Sequence, residues 1–327
     1  MGQPVTLDKL NMSNSVSVII PIFNEVEAIT NLVEKIQSII EEDSKLVYEL
    51  VIVDDGSTDG TNSTIAELEN TFKNLKVISL ARNYGQSTAL QAGFDHSNGD
   101  IVITMDGDSQ NDPSDIPLIV EVLQKNKDVD LVSGWRKNRQ DSVFSRKLPS
   151  MFANYLISYI TGVKLRDYGC SLKGYRRELI TKFRLYGEMH RFIPALAAEV
   201  GAKIIEIPVK HHPRLTGVSK YGIDRTIRVI LDLIWIQFSR QFMHRPNHAF
   251  GGIGLIMLGV GLLIFFGLFV EKVFFGGDIG ARPLLTLGLL LTLLGTQLLA
   301  VGLLGELLIR IYHEPSGRKQ YQIKNKK

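Results

Sequence analysis

Cysteine is almost absent: Cys170 stands alone among 327 residues. That excludes a disulfide framework and any zinc site built on several thiolates. A charge excess is missing too, since 37 Lys and Arg face 34 Asp and Glu for a formal net charge of +3. Nucleic-acid binding, which shows as a marked basic excess, has no support. No G-x-x-x-x-G-K-[ST] segment occurs, and no G-x-G-x-x-G follows a strand, so the P-loop and the dinucleotide fingerprint are both excluded. The start of the chain has no charged-then-apolar leader, and no signal peptide is expected. Internal repeats and low-complexity stretches are also lacking.

What is plentiful is apolar sequence at the C-terminal end. Ala249 to Val270 and Pro283 to Gly305 contain no charged residue. At 1.5 Å rise per residue each can cross a hydrocarbon core of about 30 Å. The alternative is a pair of core helices in a soluble domain, which are usually shorter and rarely uncharged for so long. Between the two runs lie Glu271, Lys272, Asp278 and Arg282, which sum to zero charge. Outside them lie Arg240, His244 and Arg245 on one side, and Arg310, Arg318, Lys319, Lys324, Lys326 and Lys327 on the other. The positive-inside rule then places both chain ends in the cytoplasm, with a multi-pass membrane location.

Ahead of the apolar runs, short β-branched stretches alternate with helical periods. Strands are expected at Val16 to Ile20, Leu50 to Val53, Lys76 to Leu80, Ile101 to Met105, Val129 to Ser133, Cys170 to Tyr175 and Ile204 to Val209. Helices are expected at Glu27 to Ile40, Thr61 to Phe72, Gln86 to His96 and Asp115 to Gln124. Such alternation predicts an α/β fold with a mostly parallel sheet covered on both faces. Two further stretches, about 142–161 and 223–242, carry apolar and aromatic stripes with basic flanks. They read either as core-facing helices or as helices lying in the membrane interface, and the second reading is preferred. The expected organisation is an arm (1–15), an α/β domain (16–242), a membrane domain (243–312) with spans of about 249–270 and 283–305, and a basic tail (313–327).

Ligands of such sheets bind beyond the carboxyl ends of the strands. Three of those ends are polar or acidic: Pro21-Ile22-Phe23-Asn24-Glu25, Asp54-Asp55-Gly56-Ser57-Thr58-Asp59-Gly60, and Asp106-Gly107-Asp108-Ser109-Gln110. Clustered carboxylates repel unless a cation or a set of hydrogen-bond donors offsets them. A hard divalent ion suits them, as does a ribose with a uracil imide. Any one of these segments taken alone could be merely a turn or a helix cap. Their joint occurrence at successive strand ends is far more specific.

These segments, together with Arg82-Asn83-Tyr84-Gly85-Gln86, Arg136-Lys137-Asn138-Arg139-Gln140-Asp141, Asp167-Tyr168-Gly169-Cys170, Ser219-Lys220-Tyr221 and Gly302-Leu303-Leu304-Gly305-Glu306, resemble a known family. It is the family 2 glycosyltransferases of GT-A fold, and within it the polyprenyl-phosphate glycosyltransferases such as bactoprenol glucosyltransferase and the undecaprenyl-phosphate aminoarabinose transferase, with dolichol-phosphate mannose synthase a more distant relative. The resemblance covers residues 16 to 323. The Q-x-x-R-W motif of processive members is missing, which implies one sugar per turnover.

By that resemblance, Pro21, Asn24, Glu25 and Asp55 line the uridine pocket, and Asp106 lies on the diphosphate side. Asp108 is the first ligand of Mg²⁺ or Mn²⁺, with Asp106 and Gln110 as further candidates. Asp167 matches the position of a catalytic base or acceptor-orienting group, with a turn or cap as its bland reading. Arg136, Arg139, Arg214 and Lys220 are candidates to hold phosphates. The implied partners are a nucleotide sugar, a polyprenyl phosphate and the membrane, with a homo-oligomer, a tetramer among its forms. The implied reaction inverts configuration. Glucose from UDP-glucose is the first choice of donor; GDP-mannose and a UDP-aminoarabinose derivative follow. A non-catalytic sugar-nucleotide-binding protein is the reading from another class. Small residues Thr292, Thr296 and Ala300 make a ridge suited to helix packing.

Overall fold

The computed structural model describes residues 15–42, 46–137, 154, 157–159, 161–213, 250–280 and 282–313. The chain divides into two compact units, one running up to Leu233 and the other beginning at Ile234.

The first unit is built on a seven-stranded sheet. Its strands are β1 (Ser15–Ile22), β2 (Val47–Asp54), β3 (Leu75–Ser79), β4 (Ile101–Thr104), β5 (Leu131–Arg136), β6 (Lys173–Arg176) and β7 (Ile204–Val209). Their order is β3-β2-β1-β4-β6-β5-β7. All neighbouring pairs run parallel except the two made by β6, which is antiparallel to β4 and to β5. The expected strand at Cys170 to Tyr175 starts later, at Lys173. Residues 167–171 form a turn instead, in which the Asp167 carboxylate accepts the Gly169 N–H (3.1 Å) and Ser171 Oγ donates to Asn111 (2.7 Å). Backbone–side-chain bonds of this kind compete with a ladder.

The continuous apolar runs belong to strands buried on both faces. Val18, Ile20, Leu50, Ile52 and Ile103 pack on one side with Ile29, Leu32, Val33 and Ile36 of α1 (Val26–Glu42). Ile19, Val51, Val53 and Val102 pack on the other with Ala89, Leu90 and Phe94 of α3 (Gln86–His96). Alternate residues of one strand thus serve opposite layers, each fully buried Ile or Leu contributing about 1.5–3 kcal/mol. Between these helices in sequence comes α2 (Thr61–Thr71); α4 (Ile116–Lys125) follows a Pro113 turn on the first side. Short helices α5 (Arg177–Ile180) and α6 (Ile193–Glu199) complete the second layer.

From β1 the chain builds outward in both directions, through β2 and β3 on one side and β4 on the other. That reversal makes a topological switch point at the carboxyl ends of β1, β2 and β4, the place where sheets of this kind bind ligands.

In the second unit, α7 (Gly252–Phe275) and α8 (Pro283–His313) are both long and apolar enough to cross a membrane. Only 17% of each apolar window is buried, which distinguishes them from core helices of a soluble domain. Gly276 takes a left-handed conformation (φ 67°) and ends α7, as a C-terminal glycine does. The helices approach closely where side chains are small: a Cβ on Gly261 would lie 2.4 Å from Thr292 Oγ1, and one on Gly295 would lie 2.5 Å from Leu258 N. Thr292 of the small-residue ridge is therefore spent on α7, and its hydroxyl donates to Gly288 O (2.8 Å). The short connection is closed by Arg282 donating to Glu271 (2.6 Å).

The stretches of about 142–161 and 223–242 lie outside the described residues, apart from 154, 157–159 and 161.

Candidate active site

The loop after β2 is held from three directions. Asn24 sits in the left-handed region (φ 56°), which an asparagine tolerates better than most residues. Its backbone N–H donates to Ser57 Oγ (2.9 Å), and its side-chain oxygen accepts the Thr58 N–H (2.8 Å). Asn24 thus clamps the β1 loop to the β2 loop. Glu25 joins the clamp through its backbone, donating to Thr61 Oγ1 (3.1 Å) and capping α1 with its carbonyl. Asp54 lies in the core and accepts the Ser57 N–H (3.0 Å).

Asp55 accepts the N–H groups of Tyr84 and Gly85, one on each carboxylate oxygen and both at 2.8 Å. Burial raises its pKa while these two bonds oppose the rise. A carboxylate has about four acceptor sites, so one edge stays available to a donor such as an imide N–H. Gly56 between these carboxylates and Ser57 has φ 74°, and a Cβ there would lie 2.5 Å from the Arg82 carbonyl carbon. Only glycine lets the 82–85 loop come this near. Tyr84 is half exposed, with the Arg82 guanidinium 4.8 Å from its ring centre.

Beyond β4, Asp106 accepts from Gln86 Nε2 (2.7 Å), at the first residue of α3. Gly107 touches β1, where a Cβ would meet Ile22 Cγ2 at 2.5 Å. Ser109 has φ 58°, which turns the chain so that Asp108 accepts the Gln110 N–H (3.2 Å). The Gln110 carbonyl accepts from the His212 N–H (2.9 Å), and Asn111 bridges to His211. Asp112 pairs with His212 Nε2 (2.9 Å). Burial acts to raise the Asp112 pKa, but the bonds from His212 and Ser114 outweigh it and hold it at about 2. Two carboxylates and an amide at one strand end are hard oxygen donors that suit Mg²⁺ or Mn²⁺, ions that keep water and substrate phosphate oxygens as further ligands. Among the described residues no three His, Cys, Asp or Glu side chains form a ready-made cage.

On the far side, Arg136 at the end of β5 and Asp167 form a buried pair. Nε donates to Oδ2 (2.6 Å) and Nη2 to Oδ1 (2.8 Å), with side-chain exposures of 12% and 4%. Burial acts to lower the Arg136 pKa, but the bonds from Asp167 reverse this and keep the guanidinium charged. Sequence reasoning assigned these two residues separately, one to phosphate and one to base chemistry; the fold joins them. A carboxylate held by a forked guanidinium is a weak proton acceptor. Arg139, Arg214 and Lys220 lie outside the described residues.

Several residues of this region had no assigned role in the sequence. Gln86, which holds Asp106, stood only within the matched Arg82 to Gln86 segment. His190 is half-buried, with Nδ1 3.0 Å from Ser87 Oγ, and its pKa is pushed down to about 3 by burial and then by Arg191 and Lys173. Lys173 is buried inside β6. A lone cation in a short strand carries no periodic or motif signal that would find it.

Comparison with known proteins accords with this geometry. The glycosyl transferase family 2 pattern matches residues 17–184. The chain is 46% identical to a dodecaprenyl-phosphate galacturonate synthase of Rhizobium johnstonii over 321 residues, covering 95% of this chain and 93% of that protein. It is 37% identical to an undecaprenyl-phosphate 4-deoxy-4-formamido-L-arabinose transferase of Aeromonas hydrophila over 310 residues, covering 94% and 92%. Among solved structures, glucosyl-3-phosphoglycerate synthase of Mycobacterium tuberculosis, in complex with Mn²⁺, UDP and phosphoglyceric acid, superposes with a TM-score of 0.52 at 20% identity. That match covers 69% of this chain and 78% of the other, and it shows the shared α/β fold.

Proposed function

The chain belongs to glycosyl transferase family 2 and is an enzyme of its polyprenyl-phosphate sugar transferases, and from that premise we propose that it moves a single sugar from a nucleotide donor to polyprenyl phosphate at the cytoplasmic membrane face. The observation that carries the reading is one arrangement. Asp55, Asp106 and Asp108 stand at the ends of β2 and β4, the buried Arg136–Asp167 pair stands at the ends of β5 and β6, and two helices of membrane length follow in the same chain.

The uridine would lie between the β1 and β2 ends, against Pro21, Asn24, Glu25 and Asp55. Asn24 acts there mainly by holding the pocket's two walls together. Asp106, Asp108 and Gln110 would hold Mg²⁺ or Mn²⁺, which neutralises charge on the leaving diphosphate. A phosphate monoester has a second pKa of about 6 and is already an ionised nucleophile at neutral pH. No strong base is needed, and positioning and charge neutralisation do most of the work. Asp167, committed to Arg136, orients the acceptor side rather than taking a proton. Arg139, Arg214 and Lys220 are proposed as phosphate anchors. One displacement by the lipid phosphate at the anomeric carbon inverts its configuration. A homo-oligomer, with a tetramer as one form, belongs to the same proposal.

The name of the 46% identical relative, a dodecaprenyl-phosphate galacturonate synthase, supports galacturonate as the sugar, ahead of the glucose expected from sequence and of formamido-arabinose. The test incubates membranes bearing the full chain with polyprenyl phosphate and, in turn, the UDP donors of galacturonate, glucose and 4-deoxy-4-formamido-arabinose, and GDP-mannose. Mass analysis of the lipid identifies the product. The expected result is one sugar per lipid phosphate, from the galacturonate donor, with inverted configuration by NMR. Turnover with glucose alone would reassign the donor; retained configuration would overturn the single displacement.

A further inference from the structure

Lys173 is a buried cation that the reaction just described does not use. It opens β6, opposite Thr104 of β4 and Ser133 of β5. Because β6 runs antiparallel to both, its first residue lies at their carboxyl ends, where Asp106 and Arg136 emerge. The side chain is 2% exposed. Its Nζ donates to the carbonyls of Cys170 and Tyr168, the latter at 3.5 Å. Both carbonyls belong to the turn that carries Asp167.

Such a residue is not required for packing. Methionine has similar volume and flexibility and would fill the site without desolvating a charge, although it would leave the Cys170 and Tyr168 carbonyls without this donor. Burial lowers the Lys173 pKa, while Asp167 and Asp106 attract the cation through space and Arg136 opposes it. The fold therefore holds, at the carboxyl ends of β4 and β5, an amine whose charged form its own desolvation disfavours. Two of the groups that favour it are the carboxylates at the donor and acceptor ends of the site. Two anions, a nucleoside diphosphate and a lipid phosphate, must approach those carboxylates together.

We propose that Lys173 is a positioning residue for sugar transfer: its ammonium fixes the Asp167–Cys170 turn and offsets the negative charge of Asp106 and Asp167 while the two anionic substrates converge. The proposal rests on the reading of Asp106 and Asp167 as donor and acceptor ends of the site.

The test compares Lys173→Met, which keeps volume without charge, with Lys173→Arg, which keeps charge. Both are made in the full-length protein and assayed in the lipid environment of the wild type. Melting temperature, kcat, and KM for each substrate are measured. The expected Met variant folds with a somewhat lower melting temperature, having lost two carbonyl contacts, and its folded fraction loses about 10–100-fold in kcat, the range seen for partners that orient metal ligands. The KM for nucleotide sugar should change little, and the Arg variant should recover most of kcat. Equal kcat for the Met and Arg variants overturns the proposal, because charge is then not the cause. A lower melting temperature with unchanged turnover of the folded fraction overturns it as well. Should the Met variant not fold, Lys173→Gln replaces it in the same comparison, with the same overturning result. Asp108→Asn and Asp167→Asn run alongside. Full activity in both would remove the reading of the site itself, whatever Lys173 does.

Discussion

Asp108 and His190 show how differently single side chains act in one site. Asp108 lies on a half-buried turn before the left-handed Ser109, and its proposed use is charge. Asp108→Asn removes that charge and leaves the turn's hydrogen bonding nearly intact. Transfer should fall to background while the melting temperature stays within a few degrees, and EDTA should do the same to the wild type. Full turnover in EDTA would remove the divalent ion from the scheme. His190 is the opposite case, a neutral half-buried ring beside Ser87 with its pKa held at about 3 by burial and nearby cations. An unfolded histidine titrates near about 6.5. Between those values the unfolded chain takes up a proton that the folded chain does not, so stability falls as pH drops through that window. Thermal melts from pH 7 to pH 4 should decline more steeply for the wild type than for His190→Asn. Parallel curves would show that the ring is not buried as a neutral group.

At the level of elements, periodicity predicted what it could. Apolar positions three and four apart located α1, and the observed helix buries Ile29, Leu32, Val33 and Ile36 from that stripe. β6 begins later than expected because side chains hold the preceding turn, Asp167 accepting the Gly169 N–H and Ser171 Oγ donating to Asn111. In the membrane-length pair, glycine position decides packing. Gly261 faces Thr292 and the Gly288 carbonyl closely, whereas Gly259 has no neighbour within 4 Å of where its Cβ would stand. Gly261→Leu should therefore lower the melting temperature in detergent, since inserting bulk into a packed contact costs about 1–3 kcal/mol. Gly259→Leu should leave it unchanged. Equal effects from the two variants would mean that α7 and α8 do not pack through this face.

Over the whole molecule, every motif assigned to the nucleotide lies before Ala249. A chain ended after residue 243 should remain folded and bind UDP, measured by calorimetry, yet transfer poorly to long-chain polyprenyl phosphate in liposomes. Undiminished transfer would make the apolar helices dispensable anchors.

The fold class, the strand ends that bear the carboxylates and the two apolar spans were legible in sequence because each depends on short-range pattern. Short continuous apolar runs and 3.6-residue periods mark the strands and helices of the layers, and freedom from charge over about 20 residues marks a possible span. The pairing of Arg136 with Asp167, the hold of Gln86 on Asp106 and the burial of Lys173 were not legible. Each joins residues about 20 or more apart, or depends on which direction a strand runs. Antiparallel insertion of β6 between β4 and β5 is what brings Lys173 and the 167–171 turn to the carboxyl end of the sheet. Chemistry-bearing residue types were therefore determined locally, by the sequence. Their partners, and so their charge states and roles, were decided by tertiary structure, because electrostatic and hydrogen-bond energies depend on distance and burial in space rather than on separation along the chain.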